Sequence, residues 1–252
     1  GVGRIINITA YGRSNTFQNV TSIRGDFGSG NDAVVFGDVS VGGVDADGEL
    51  IIPGPGSPPA TVSKVPTIPV NIQMGTGDDS VSFSGTAAGN IIDLGEGDDY
   101  AGLTQDGTAT INGGNGSDYI QNIGTGRAII NGQGGDDRLF GNTSADRITG
   151  GNRNDDIDGP AELIDAGSGD DIVSLAVGQF TGNSTIIGGS GSDRLNIFGT
   201  PSNDIITVSN TGGQVRVGVG DRTITSTNFQ DLLIDGAAGG DTFIVDDLIG
   251  SG

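Results

Sequence analysis

Large aliphatic residues in this chain mostly stand singly or in short pairs, many of them two places after an aspartate and flanked by polar or small residues. The stretch Gly132 to Asp158 repeats the pattern three times, as GQGGDDRLF, GNTSADRIT and GGNRNDDID. Asp137, Asp146 and Asp155 fall in register there, with Leu139, Ile148 and Ile157 two places later. An apolar position between outward-facing polar ones is the mark of a short strand with one buried face. The small-residue segment ahead of each aspartate supplies a tight turn, because glycine takes positive φ at little steric cost. Turn, aspartate and strand in repetition predict an all-β solenoid, in which each unit buries its apolar face against its neighbours.

Units of this kind recur with their aspartates at Asp32, Asp79, Asp99, Asp118, Asp137, Asp146, Asp155, Asp171, Asp193, Asp204 and Asp241. From Asp79 the main series (79, 99, 118, 137, 155, 171, 193) is spaced by 20, 19, 19, 18, 16 and 22 residues, or one parallel coil of about 19 residues per step. A weaker half-coil lies between the main turns. There Asn90, Ala109 and Ala128 occupy the aspartate place, and Asp146 and Asp204 restore the acid. Val81, Ile92, Ile111, Ile120, Ile130, Leu139, Ile148, Ile157, Val173, Ile187 and Leu195 are expected to stack into the core, on two short strands per coil about 4.8 Å from the next.

The pattern divides the chain into N-terminal strands and a first turn (1–41), a Pro-rich loop insertion (42–69), the solenoid proper (70–209) and C-terminal strands with a last turn (210–252). Six of the eight prolines fall in the insertion, which therefore cannot join a ladder interior. Its Asp45-Ala46-Asp47-Gly48 begins like an EF-hand loop but lacks the rest of that pattern, and reads as loop. Ile6 to Ile23 resembles Val217 to Ile234, each followed by a Gly-rich turn with Asp32 or Asp241. Either the chain exceeds one period of a longer array, or both segments cap a solenoid.

Composition narrows the function. With 49 glycines, 5% aromatics and no Trp, small aliphatics must do the packing. Thirty-two acidic against eleven basic residues give a net charge of −21, which disfavours nucleic acid and anionic membranes and favours cations. Such a charge is also the signature of a flexible acidic linker, but the sustained register argues against that. The absence of Cys and His excludes disulfides, thiol nucleophiles and the usual zinc ligands. No apolar run approaches a membrane span, and no signal-peptide pattern is visible at the start. Carboxylate pairs such as Asp78-Asp79 and Asp98-Asp99 fall at the turn position, and the serines have no His to activate them, so no catalysis is expected.

The nonapeptides resemble the hemolysin-type, or RTX (repeats-in-toxin), calcium-binding repeat GGxGxDxUx. GGNGSDYIQ (Gly113 to Gln121) and GGSGSDRLN (Gly188 to Asn196) match every specified position, and MGTGDDSVS, LGEGDDYAG, GQGGDDRLF, GGNRNDDID, AGSGDDIVS and GAAGGDTFI depart at one or two. The resemblance implies a right-handed parallel β-roll with Ca²⁺ between successive turns. It makes Asp79, Asp99, Asp118, Asp137, Asp155, Asp171 and Asp193 side-chain ligands, with Asp32, Asp146, Asp204 and Asp241 as further candidates. Turn backbone at Gly75, Gly77, Gly95, Gly97, Gly114, Gly116, Gly189 and Gly191 would complete the shells of about six ions, mainly in one row. The family implies secretion, typically by a type I route, and hence an extracellular or cell-surface setting such as an adhesin stalk, surface layer or filament. Expected partners are calcium and copies of the chain stacked head to tail or in a lattice, with no nucleic acid and no membrane insertion. The alternatives are an accessory module of a secreted enzyme or toxin, or an ice- or polysaccharide-binding face. The outward turn positions Thr76, Glu96, Asn115, Gly134, Asn152, Ser168 and Ser190 are too irregular to favour ice.

Overall fold

A computed structural model describes residues 5–10, 13–18, 23–37, 62–63, 69–142 and 145–246. Asp45-Ala46-Asp47-Gly48 and nearly all of the 42–69 segment lie outside the described residues. From Ile23 onward the described residues form a parallel β-solenoid. Its seven regular coils each carry a long strand and a short one. The long strands run from Val70–Thr76 through Asn90–Glu96, Ala109–Asn115, Ala128–Gly134, Arg147–Asn152 and Leu163–Ser168 to Ser184–Ser190. The short ones run from Ser80–Phe83 through Tyr100–Leu103, Tyr119–Asn122, Arg138–Phe140, Asp156–Asp158 and Ile172–Ala176 to Arg194–Phe198. Long strands pair only with long and short only with short, building a 12-stranded and a 10-stranded sheet. Ile23–Asp26 and Ala33–Gly37 extend the two sheets at the N-terminal side by pairing with Val70–Thr76 and Ser80–Phe83.

The alternation read from the sequence sets which face is buried. Ile72, Ile92, Ile111, Ile130, Ile148, Ile164 and Ile186 form one inward column, at most 1% exposed. Val81, Ala101, Ile120, Leu139, Ile157, Val173 and Leu195 face them from the short sheet. One expected core residue is wrong by a single place. In the Ile186-Ile187 pair it is Ile186 that pairs with Ile164 and is buried, while Ile187 pairs with Asp165 on the outer face. A doubled aliphatic satisfies either phase of a period-two pattern, and only the register with the neighbouring coil decides between them.

The two edges differ in regularity. The turn from long to short strand always spans three residues, as at 77–79, 116–118 and 191–193. The return turn varies from four residues at 159–162 to seven at 177–183, where a 3₁₀ turn (Val177–Gln179) and the buried Phe180 fill the added length. After Arg194–Phe198 the long sheet takes an excursion. Ile205–Thr211 and Gln214–Val219 form an antiparallel hairpin before Arg222–Thr227 resumes parallel pairing with Ser184–Ser190. The likeness between the two ends of the sequence corresponds to an antiparallel pair at each, Ile5–Ala10 with Arg13–Gln18 and Gln214–Val219 with Arg222–Thr227.

Truncation of the adjacent isoleucines tests this phase. Ile186→Ala is expected to cost about 2–5 kcal/mol, the range for emptying a packed site, and Ile187→Ala clearly less. Denaturant-unfolding midpoints of the two variants measure the difference, and equal losses would contradict the assigned register.

Candidate metal centre

The constant three-residue turn stacks one aspartate of each coil over the next. Gly114 and Gly116 explain why the turn sequence is so restricted. Both have φ of 119°, and a Cβ at either would lie within 2.0 Å of the carbonyl oxygen of Gly95 or Gly97 in the coil before. Gly75, Gly77, Gly95, Gly97, Gly189 and Gly191 share the positive φ and the crowding, while Gln133 and Arg153 take positive φ as non-glycine residues.

From Asp32 to Asp171, the backbone N–H of each stacked aspartate donates to the Oδ1 of the aspartate in the following coil. Asp32 donates to Asp79 at 2.7 Å, and Asp79 to Asp99 at 2.7 Å. Asp99 bonds Asp118 and Asp118 bonds Asp137, both at 2.9 Å. The series continues from Asp137 to Asp155 at 3.0 Å, Asp155 to Asp171 at 2.8 Å and Asp171 to Asp193 at 3.0 Å. Asp79 through Asp193 are at most 3% exposed. The second oxygen, Oδ2, is buried without a hydrogen-bond partner in all eight: Asp32, Asp79, Asp99, Asp118, Asp137, Asp155, Asp171 and Asp193. Buried polar atoms are nearly always satisfied, so a row of eight at one register is a feature of the design.

Burial is the main cause of a raised pKa at Asp79, Asp99, Asp118, Asp137, Asp155 and Asp171, opposed by the N–H each carboxylate accepts and reinforced by charged neighbours. Asp118 is pushed up to about 7, Asp155 to about 8, and Asp137 and Asp171 to about 6. Asp79 and Asp99 move in the same direction for the same reason. The edge thus holds more negative charge than its own donors offset.

Among the described residues no three carboxylates converge on one point, so a cation here would complete its shell with backbone carbonyls. Such carbonyls are present. A Cβ built on Gly113 would sit 2.3 Å from Asp118 Oδ2 and 2.7 Å from the Gly132 carbonyl of the next coil. At Gly132 the corresponding atoms are Asp137 Oδ2 and the Gly150 carbonyl, at 2.3 and 2.6 Å. An all-oxygen set with one charged member per coil fits Ca²⁺, a hard cation that takes six to eight oxygens.

The sequence grouped eleven aspartates; the structure separates them. Asp146, Asp204 and Asp241 lie on the opposite edge. Asp146 accepts from the Ala128 and Asn142 N–H groups at 2.7 and 3.0 Å, and Asn122 Nδ2 reaches both its oxygens at 3.3 and 3.1 Å. Asp204 accepts from the Thr200 N–H at 2.6 Å and from its hydroxyl. Both turns read Gly-x-x-Ser-x-Asp, and the amide four residues before the aspartate turns back onto Oδ2. On the first edge that position holds a positive-φ residue, and Oδ2 stays unpartnered. Asp241, matched with Asp32 in sequence, instead follows a short strand, Asp231–Asp235, and accepts the Asp204 N–H at 2.9 Å.

Two features escaped the sequence reading. The residue just before six of the eight stacked aspartates forms an exposed second ladder, in which Asn31, Asp78, Asp98, Asp136, Asn154 and Asp170 accept the N–H of the next coil. Its signal was the repeated Asp-Asp or Asn-Asp pair. Gln230, in register with Asp193, accepts the Asp193 N–H on Oε1 at 2.6 Å; its signal was the run Gln230-Asp231-Leu232, aligned with Asp193-Arg194-Leu195.

The raised pKa values give the cation-free protein a definite pH dependence. The unfolded carboxylates ionise near their ordinary value of 3.8, the folded ones at about 6 to 8. The native state therefore binds more protons between these limits, and the stability this provides is present in acid and lost as pH rises through the folded values. In chelator, the thermal midpoint is expected to fall from pH 5 to pH 8; a midpoint that rises over that interval would refute the charge imbalance. Set against known proteins, the chain matches no protein-family model and no curated protein.

Proposed function

We propose that the first edge binds a row of Ca²⁺ ions, one facing each unpartnered Oδ2, and that the protein is a non-catalytic structural solenoid of the RTX type. The observation that carries this reading is the row of eight buried carboxylate oxygens without a donor. Their neighbours are carbonyl oxygens, and the whole chain carries −21. Divalent ions would offset the charge and tie each turn to the next. Ca²⁺ suits such a set better than Mg²⁺, which holds its waters and demands a small octahedron.

The sites exist only when coils are stacked, so binding and folding are coupled. Extracellular modules bind Ca²⁺ at roughly 10⁻⁴ to 10⁻³ M, far above cytosolic levels. Coupling at that affinity would keep the chain loose inside a cell and rigid outside it. It supports a secreted or surface-attached setting, with the solenoid as a stalk, surface-layer or filament element.

Circular dichroism of chelator-stripped protein tests the reading. A higher thermal midpoint and a gain of β signal over the partly folded cation-free chain are expected near millimolar Ca²⁺ and not with Mg²⁺, and a spectrum and midpoint indifferent to Ca²⁺ would refute the reading. Asp118→Asn sharpens the test, because it removes one buried charge and keeps an amide oxygen for the Asp99 N–H. It should raise the thermal midpoint in chelator and lower it in saturating Ca²⁺.

A further inference from the structure

The geometry points to Gln230 as the residue that closes the cation row and makes its last gap the weakest, an inference that rests on the Ca²⁺ reading above. Pairing of Arg194 with Asp231 and of Leu195 with Leu232 places Gln230 at the aspartate register of the following coil. Its Oε1 accepts the Asp193 N–H at 2.6 Å, the task that Oδ1 performs on every earlier rung. The gap ahead of it keeps the upstream form. Asp193 Oδ2 is buried and unpartnered, and a Cβ on Gly188 would meet that oxygen at 2.9 Å and the Asn228 carbonyl at 2.4 Å.

What changes is the charge. An interior gap, such as that between Asp118 and Asp137, is flanked by two carboxylates, whereas the last is flanked by one carboxylate and a neutral amide. The second polar atom of that amide is a nitrogen, which donates hydrogen bonds and offers no lone pair to a cation. Ligand charge count is one of the features that spread Ca²⁺ affinities over orders of magnitude. The last gap should therefore fill at a Ca²⁺ concentration roughly tenfold or more above the interior ones. The coil behind it also has less other support, since among the described residues Asp231–Asp235 pairs with Arg194–Phe198 on one side and is the last strand of the short sheet. As Ca²⁺ falls, the solenoid would loosen first at this coil.

Gln230→Glu in the full chain provides a test whose sign depends on the cation. Hydrogen exchange is followed over 228–235 and, for reference, over 118–122 during a Ca²⁺ titration. In the parent chain the 228–235 amides should become protected at the higher Ca²⁺ concentration. In Gln230→Glu that midpoint should move down towards the interior one, while in chelator the same amides exchange faster, because a second carboxylate then faces Asp193 uncompensated. Gln230→Ala, which removes the acceptor for the Asp193 N–H, should lose protection under both conditions. A Glu variant that shifts in the same direction with and without Ca²⁺, or a parent chain whose two segments respond together, overturns the proposal. If neither segment of the parent chain responds to Ca²⁺, the cation row itself fails.

Discussion

Each buried carboxylate on the first edge divides its two oxygens between different tasks, and much of the structure follows from that division. Oδ1 takes the N–H that the three-residue turn would otherwise leave without a partner, at 2.7 to 3.0 Å along the row. A hydrogen bond to a charged group contributes about 1.5–3 kcal/mol, but it also carries a carboxylate out of water. Burial outweighs the accepted N–H in setting the pKa of Asp118, Asp137, Asp155 and Asp171, so one donor per carboxylate is insufficient compensation. Oδ2 is left facing carbonyls of the next coil. An oxygen so placed calls for positive charge, and a proton or a cation can supply it.

The opposite edge solves the same packing problem with protein atoms alone. Asp146 and Asp204 sit in turns whose backbone folds back to donate, and Asn122 closes the remaining valence of Asp146. Ala109 and Ala128 avoid the problem by carrying no polar group. One edge is thus self-sufficient, and the other leaves a row of buried carboxylate oxygens without a donor. The distinction lies in one turn residue: the amide four places before the aspartate either points at the carboxylate or, in a positive-φ residue, leaves it open.

Much of this was legible in the sequence, because short-range pattern and long-range contact share a period. The all-β parallel fold, the coil of about 19 residues and nearly every core position could be read from the spacing of aspartates and aliphatics. The main aspartate series lies on one edge, as its regular spacing implied. The misses have physical causes. Ile186 and Ile187 are equivalent to a period-two pattern until a neighbouring coil fixes the phase. Asp241 looks like Asp32 locally, and only the strand before it determines which edge its turn forms. Gln230 hides among turn residues because a ladder needs only a side-chain oxygen, and a search for acids passes over an amide.

Coil length is the last link between the edges. The first edge keeps its three-residue turn in coils of 16, 19 and 22 residues alike, because a change there would break the hydrogen bond to one neighbour and the cradle shared with the other. Variation is therefore displaced to the opposite edge. The four-residue return at 159–162, the 3₁₀ turn at Val177–Gln179 and the hairpin that opens at Ile205 all begin there. A solenoid whose coils touch only nearest neighbours can absorb such insertions without disturbing distant coils. The strict edge supplies continuity, and the permissive edge is where sequence change can add new surface.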